Sequence, residues 1–468
     1  MRYAGTSTAS PEIYWNTERN KDHMEIRKPL MGAGILLAYP IAYAYLKYFF
    51  LDFSDENVVL KKTLFVLAFI ILNELIIRGR GKTPAKSTYF WYGIMGIVAM
   101  TYTTGLSEFV SFIGLHLCAF YVAAVSNGIL VEGKTGSYIA EDIFGSTVIK
   151  AFSGFVNIFI DIGKVFTHKK KPVSDVQEVK PAAASAPVKK GSAAGVVGGI
   201  IILIVLFPVF LIVLGLLCEI NPMFNDALSK LFDSLFDLIR FDFNPRWLIN
   251  NIGYIIFAVP TSLYLYGMLS QSAESNGEME KKTYKTIAEF RTICRKVSPI
   301  ASCIATGMFV VLYLIFFIFE AKYMFSAFSG YLPEQFTAAE YARRGFFELT
   351  GVMFINMLIY VLITYFENRE LKGRKASVAL MVALMGESVV FAAVSFSKLA
   401  LYYSRFGYTP KRLLAIWGTL IFAAGAIMVI VSVLKRKDMA RVWIFFTTVS
   451  FALMSILSTV LYFAVGGV

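Results

Sequence analysis

Solid apolar runs of about twenty residues recur along this chain, separated by short polar segments. Eleven of them read as helices long enough to cross a bilayer, at 30–50, 60–78, 87–105, 108–130, 196–219, 247–269, 299–320, 345–366, 377–399, 413–434 and 442–465. Membrane barrels alternate apolar and polar residues with a period of two. Unbroken runs therefore predict an all-α polytopic integral membrane helix bundle.

Between the fourth and fifth runs the pattern changes. Over 141–166, Phe144, Val148, Phe152, Phe155, Phe159 and Phe166 recur at helical spacing, while Glu141, Asp142, Lys150, Asn157 and Asp161 interrupt them. That is an amphipathic stripe, expected to lie on the cytoplasmic membrane surface. Residues 167–194 follow with basic ends and Pro-Ala-Ala-Ala-Ser-Ala-Pro in the middle, a composition that predicts a disordered linker. Gly191, Gly195 and Gly199 fall four apart where the fifth run begins, a spacing that permits close helix contact and equally suits the tail of a flexible linker. A second amphipathic helix is expected over 222–243 and a polar helical connector over 271–297. The predicted organisation is a cytoplasmic segment 1–29, a four-helix half 30–130, the helix and linker 131–194, and a seven-helix half 195–468.

Charge sets the orientation. With the N-terminus inside, the inner segments carry 32 of the 45 Lys and Arg residues, and every inner loop is basic. The first outer loop, Asp52-Phe53-Ser54-Asp55-Glu56, is acidic. The positive-inside rule then places the N-terminus in the cytoplasm and, for an odd number of spans, the C-terminus outside. The same rule accounts for the net charge of +13, so basic loops beside the lipid bilayer are expected rather than nucleic-acid binding.

Candidate chemistry is sparse. Cys118, Cys218, Cys294 and Cys303 form no CxxC pair, and no catalytic motif, cofactor fingerprint or metal constellation emerges. His116 lacks a second histidine within the membrane for haem or metal ligation. An ionisable side chain in lipid is a candidate site by its cost alone, and Glu387 lies about ten residues into the ninth run, near the midplane. Asn356 suits interhelical hydrogen bonding, and Glu74 suits an i,i+4 pair with Arg78. At the outer entrance to the eighth run, Glu340, Arg344 and Glu348 are spaced as an acidic–basic–acidic ladder beside Arg343. Lys398, Tyr402 and Arg412 flank the turn between the ninth and tenth runs. These eight residues, Glu340, Arg343, Arg344, Glu348, Glu387, Lys398, Tyr402 and Arg412, form the candidate ligand site.

Two of these stretches carry a resemblance. Glu-Tyr-Ala-Arg-Arg-Gly-Phe-Phe-Glu-Leu at 340–349, and the later block of Lys398, Tyr402, Phe406-Gly407-Tyr408-Thr409 and Arg412, resemble a bacterial family of polytopic membrane proteins known as a domain of unknown function (four-one-seven-three, with its relative four-one-five-three). In the later block Phe406 and Tyr408 stand where the family more often has Tyr and Leu. The resemblance is expected to cover 195–468. It implies a multi-pass protein of the bacterial cytoplasmic membrane and brings no activity.

Three functions compete at this point. A non-enzymatic membrane component that binds another membrane protein or senses the envelope fits the linker and the two surface helices. A transporter or lipid-handling protein fits Glu387 and the outer basic residues, which suit an anionic lipid head group. A polyprenyl-linked sugar transferase fits the span number and the acidic first outer loop, although that loop is short for a substrate platform.

Overall fold

The computed structural model describes residues 27–50, 57–166, 230, 245–330, 337–368 and 373–465. The predicted linker, the run at 196–219 and nearly all of the amphipathic segment 222–243 lie outside the described residues. What is described is helical, with one isolated bridge between Val297 and Glu367.

The helices are α1 (Lys28–Ala44, continuing as a π-helical turn over Tyr45–Phe50), α2 (Val58–Gly79), α3 (Thr88–Met100) and α4 (Leu106–Val125). A bent pair follows, α5 (Ile139–Ser153) and α6 (Asn157–Phe166), meeting at 60°. Beyond the undescribed stretch come α7 (Pro245–Glu274), α8 (Glu278–Cys294), α9 (Pro299–Phe325), α10 (Ala338–Phe366), α11 (Arg374–Phe406), α12 (Pro410–Lys435) and α13 (Ala440–Ala464). Local chemistry sets several boundaries. Thr337 and Glu340 form a reciprocal capping box that opens α10. Thr409 caps α12 and Pro410 occupies its first turn.

A helix stands at each of the ten predicted runs that fall among described residues. Eight of them, α1, α4, α7 and α9–α13, are long, apolar and poor enough in charge to cross a membrane, and nine segments qualify if the bent pair is one span. The other three predicted runs are 196–219, which lies outside the described residues, and α3 and α2, which miss these limits by length and by charge. α3 has 13 residues, about 20 Å at ~1.5 Å per residue, short of a hydrocarbon core of about 30 Å. α2 is long enough but carries Lys61, Lys62, Glu74 and Arg78.

The loops sort to two ends. At one end Arg27 donates its N–H to Gly79 O at 2.9 Å, Ala85 to Ser126 O at 3.0 Å, and Asn368 to Val297 O at 2.9 Å. Ser137 Oγ donates to Asp438 at 2.6 Å. These are the segments whose basic residues the charge pattern assigns to the cytoplasm. At the other end Tyr102 N–H donates to Thr459 Oγ1 at 2.9 Å, and Lys62 donates to Thr101 O at 3.1 Å and pairs with Glu108 at 3.0 Å.

Two apolar cores hold the helices. One is built from α1–α7 with Ile444 and Ala452 of α13. The other is built from α9–α12. α7 follows the linker in sequence but belongs to the first core, so packing joins the chain across the linker.

The bent pair is the least expected element. Its Phe144, Phe152 and Phe166 face away from the protein, Phe152 65% and Phe166 79% exposed, while Ile158, Phe155 and Phe159 pack on the first core. Its polar residues, Asp142, Ser146, Lys150, Asn157 and Asp161, are buried. Both ends lie at the basic rim: the rings of Tyr138 and Tyr284 of α8 meet at a tilt, 5.4 Å apart, and Lys164 pairs with Glu274 at the end of α7. The break seats on α7 through Gly154 and Gly267. A Cβ on Gly267 would fall 2.8 Å from Ala151 O, a distance that real Cβ contacts do not reach. Gly267→Ala is therefore expected to destabilise by about 1–3 kcal/mol, read as a lower melting temperature in detergent. Gly253→Ala, which meets open space on the same helix, should leave it nearly unchanged.

The two-ended arrangement also fixes a labelling pattern. With the basic rim in the cytoplasm, a cysteine introduced at Lys285 should react with an impermeant maleimide only after the membrane is opened, and one at Lys411 should react in intact cells. The reverse pattern would invert the orientation.

Candidate functional site

The start of α10 and the end of α11 come together through their small and basic residues. Lys398 is buried, and its ammonium lies over the ring of Tyr341 at 4.3 Å. Gly345 makes room for it: a Cβ there would sit 3.3 Å from Lys398 Nζ. The cation–π geometry and the stem packed along α10 explain how a lysine is accommodated out of water. Glu340 turns back to the capping box and accepts from the Thr337 N–H at 3.2 Å and the Thr337 hydroxyl at 3.0 Å. Arg343, Arg344 and Glu348 are exposed on the same end of α10.

Arg412 secures the next turn. It donates to Phe406 O at 2.8 Å and to Gly407 O at 2.7 Å, neutralising the last carbonyls of α11. Its guanidinium lies 4.2 Å over the Tyr402 ring and donates to the Tyr402 hydroxyl at 3.1 Å. Tyr402 and Arg412 are thus joined to each other, one turn beyond Lys398.

Glu387 lies deeper on α11. It is 8% exposed, and neither carboxylate oxygen has a hydrogen-bond partner. From Glu387 to Lys398 is 11 residues, close to three full turns, so both lie on one face of α11, about 16 Å apart along the axis. Beside Glu387 runs a polar relay. Tyr313 of α9 donates to Asn356 Oδ1 at 3.0 Å, and Asn356 Nδ2 donates to Ser388 Oγ at 2.8 Å. Tyr313 is also within electrostatic reach of Glu387. Asn356 therefore links three helices, the role its position suggested. His116 is satisfied within the first core by the Tyr45 hydroxyl at 2.9 Å and Phe112 O at 2.7 Å. Glu74 pairs with Arg78 at 2.6 Å as its spacing predicts. Among the described residues no three His, Cys, Asp or Glu side chains gather as metal ligands.

A second set of charges escaped the sequence. Asp161 of α6 is fully buried and takes an ion pair from Arg80, a second from Lys164 at 3.0 Å, and a hydrogen bond from the Tyr266 hydroxyl at 2.8 Å. Glu274 joins the group, 3.0 Å from Lys164 and 3.4 Å from Arg80. Nearby, Lys150 of α5 and Glu280 of α8, both buried, pair at 2.6 Å. The signal was present in the polar positions 142, 146, 150, 157 and 161 of the bent pair. Facing them toward the protein, with Phe144, Phe152 and Phe166 on the opposite face, would have revealed it.

Buried ion pairs, interhelical polar relays and long apolar helices together define an all-α, multi-pass membrane helix bundle. Over residues 92–465 the chain matches the model of the family described as Domain of unknown function (DUF4153), and it belongs to that family. The match begins in α3, well before the expected start at 195, and takes in the second core and the part of the first that follows α3. Neither a curated protein nor a solved structure matches the chain.

The Asp161 group yields a direct test. Arg80→Gln leaves a buried carboxylate short of a counter-charge and should destabilise by about 3–5 kcal/mol. Arg80→Gln with Asp161→Asn should recover a large part of that loss, measured by thermal unfolding in detergent.

Proposed function

We propose that this protein handles a ligand within the membrane, as a transporter or lipid-handling protein whose site lies in the α9–α12 bundle. Glu387 carries this reading. α11 has 33 residues, about 50 Å of helix, against a hydrocarbon core of about 30 Å. Glu387 stands 13 residues in from Arg374 and 19 from Phe406, so it lies within the hydrocarbon. An acidic group there costs roughly 2.5–3.5 kcal/mol on insertion scales, and Glu387 lacks the hydrogen bonds that would offset it. Such a group either holds a proton or meets a cation that comes and goes. Lys398 lies outward on the same helix face, and the exposed Arg343 and Arg344 stand at the mouth. An anion or anionic head group received there, coupled to a proton at Glu387, fits that arrangement. The basic rim supports placing the protein in a bacterial cytoplasmic membrane, with this mouth outside.

A second reading, a membrane component that binds another membrane protein, is supported by α9 and α10. Only 22% and 17% of their most apolar windows are buried, which leaves broad faces for lipid or for a partner helix.

The test uses Glu387→Gln, which keeps shape and removes the titratable group. It should leave the melting temperature little changed and abolish complementation of a deletion strain. A hydrophobic carbodiimide, which reacts with protonated carboxyls in membranes, should label Glu387 in the wild-type protein. Absence of that label, or a variant that complements fully, removes Glu387 from the function.

A further inference from the structure

At the basic end, α8 rejoins the bundle through a fixed joint. Val297 donates its N–H to Phe366 O at 3.0 Å and accepts from the Asn368 N–H at 2.9 Å, which fastens the segment after α8 to the end of α10. Gly373, at φ +101°, opens α11 against Pro299 and Ile300 of α9. This joint gathers three arginines: Arg291 on α8, Arg295 at its end, and Arg374 at the start of α11. The Arg291 guanidinium lies over the rings of Tyr365 at 4.7 Å and Tyr138 at 5.8 Å.

The cluster is not neutralised by ion pairs. Among the described residues no carboxylate forms one with any of the three. Of the acids close by, Glu132 lies within electrostatic reach of Arg291 but pairs with Lys134 at 3.4 Å, and Glu367 accepts from the Ser377 hydroxyl at 2.5 Å. The Nε groups of Arg291 and Arg295 are buried without a hydrogen-bond partner. Burial, with Arg291 and Arg374 nearby, pushes the Arg295 guanidinium below its ordinary range. Like charges held together with donors unmet call for an anion with several acceptor oxygens, and guanidinium forks match phosphate geometry.

The surroundings identify the source of that phosphate. Ile300, Ile304 and Met308 of α9 are spaced four apart and exposed. They form a stripe that runs from the joint down the membrane face of the helix. We propose that Arg291, Arg295 and Arg374 bind the phosphate of an anionic phospholipid at the cytoplasmic rim, with its acyl chains along Ile300, Ile304 and Met308. A soluble phosphate ester would satisfy the arginines but would make no use of the stripe. The site lies at the opposite end of the bundle from Lys398 and is independent of Glu387.

Native mass spectrometry of the full chain, from micelles with equal phosphatidylglycerol and phosphatidylcholine, tests this. The wild-type protein should retain phosphatidylglycerol in preference. Arg295→Gln should weaken that preference about fivefold, the effect of one basic residue near an anionic surface, and Arg291→Gln/Arg295→Gln/Arg374→Gln should abolish it. Lys282→Gln/Lys285→Gln, on exposed parts of α8, should retain it. Equal retention of the two lipids by the wild type overturns the proposal, as does an unchanged preference in Arg295→Gln. Displacement of the lipid by millimolar glycerol 3-phosphate, without dependence on its acyl chains, would assign the cluster to a soluble ligand and overturn it equally. The wild-type preference and the single variant keep the test decisive if the triple variant fails to fold.

Discussion

A charge removed from water must find its counter-charge inside the protein, and Asp161 finds two cations and a hydroxyl. Their elements are far apart in sequence: Arg80 after α2, Lys164 on α6 and Tyr266 on α7. Each would be a liability alone in a low-dielectric environment, where loss of one partner strands the others. Together they fix the bent pair against α7 and the α2–α3 loop. The inverted polarity of the pair follows. Once Asp161, Asn157 and Lys150 are turned inward to meet partners, Phe144, Phe152 and Phe166 are left on the face away from the protein.

The same physics gives the two bundles different characters. In the first, charges are paired near both ends: Lys62 with Glu108 at one end, and Lys150 with Glu280 and the Asp161 group at the other. In the second, a buried acid is left without a hydrogen-bond partner. Asn356 completes a relay across three helices, while Glu387, one residue from Ser388, stays outside it. A pairing that closes on itself builds a rigid support. A group left unsatisfied beside such a relay is poised to exchange a proton or an ion.

The class of fold was legible because membrane insertion writes itself into composition: a run such as 413–434 admits few alternatives to a helix. Boundaries were legible where caps are local, as at Thr409-Pro410 and Gly407. Asn356 and Glu74 followed from depth and spacing. The phenylalanine stripe of 141–166 was visible too, but periodicity states only that a helix has two faces. Which face meets protein depends on residues 80, 266 and 274, and no local window contains them. The roles of Glu340 and Arg412 were obscured for a related reason. Their charges suggested a ligand, and spacing alone did not show that Glu340 also closes a capping box and that Arg412 also holds the carbonyls of a turn. The arginines at 291, 295 and 374 are scattered in sequence, and only the backbone joint at Val297 brings them together.

Helix length has its own consequence. The protein is a body of unequal height: α11 is about 50 Å tall and α3 about 20 Å. α3 shows Tyr89, Ile97 and Met100 to its surroundings, so lipid meets it directly. Beyond Met100 the chain continues without helix, with Thr101 and Thr103 buried, as irregular backbone at membrane depth requires. α11 can extend past a hydrocarbon core of about 30 Å with its polar ends, whereas beside α3 the bilayer meets an apolar helix about 10 Å shorter than that core and must thin there. Each ångström of mismatch costs a fraction of a kcal/mol. That elastic cost falls where the surrounding membrane is already thin beside α3. The lengths of its helices thus give the protein a preference for a place and an orientation within the plane of the membrane, even with every binding site empty.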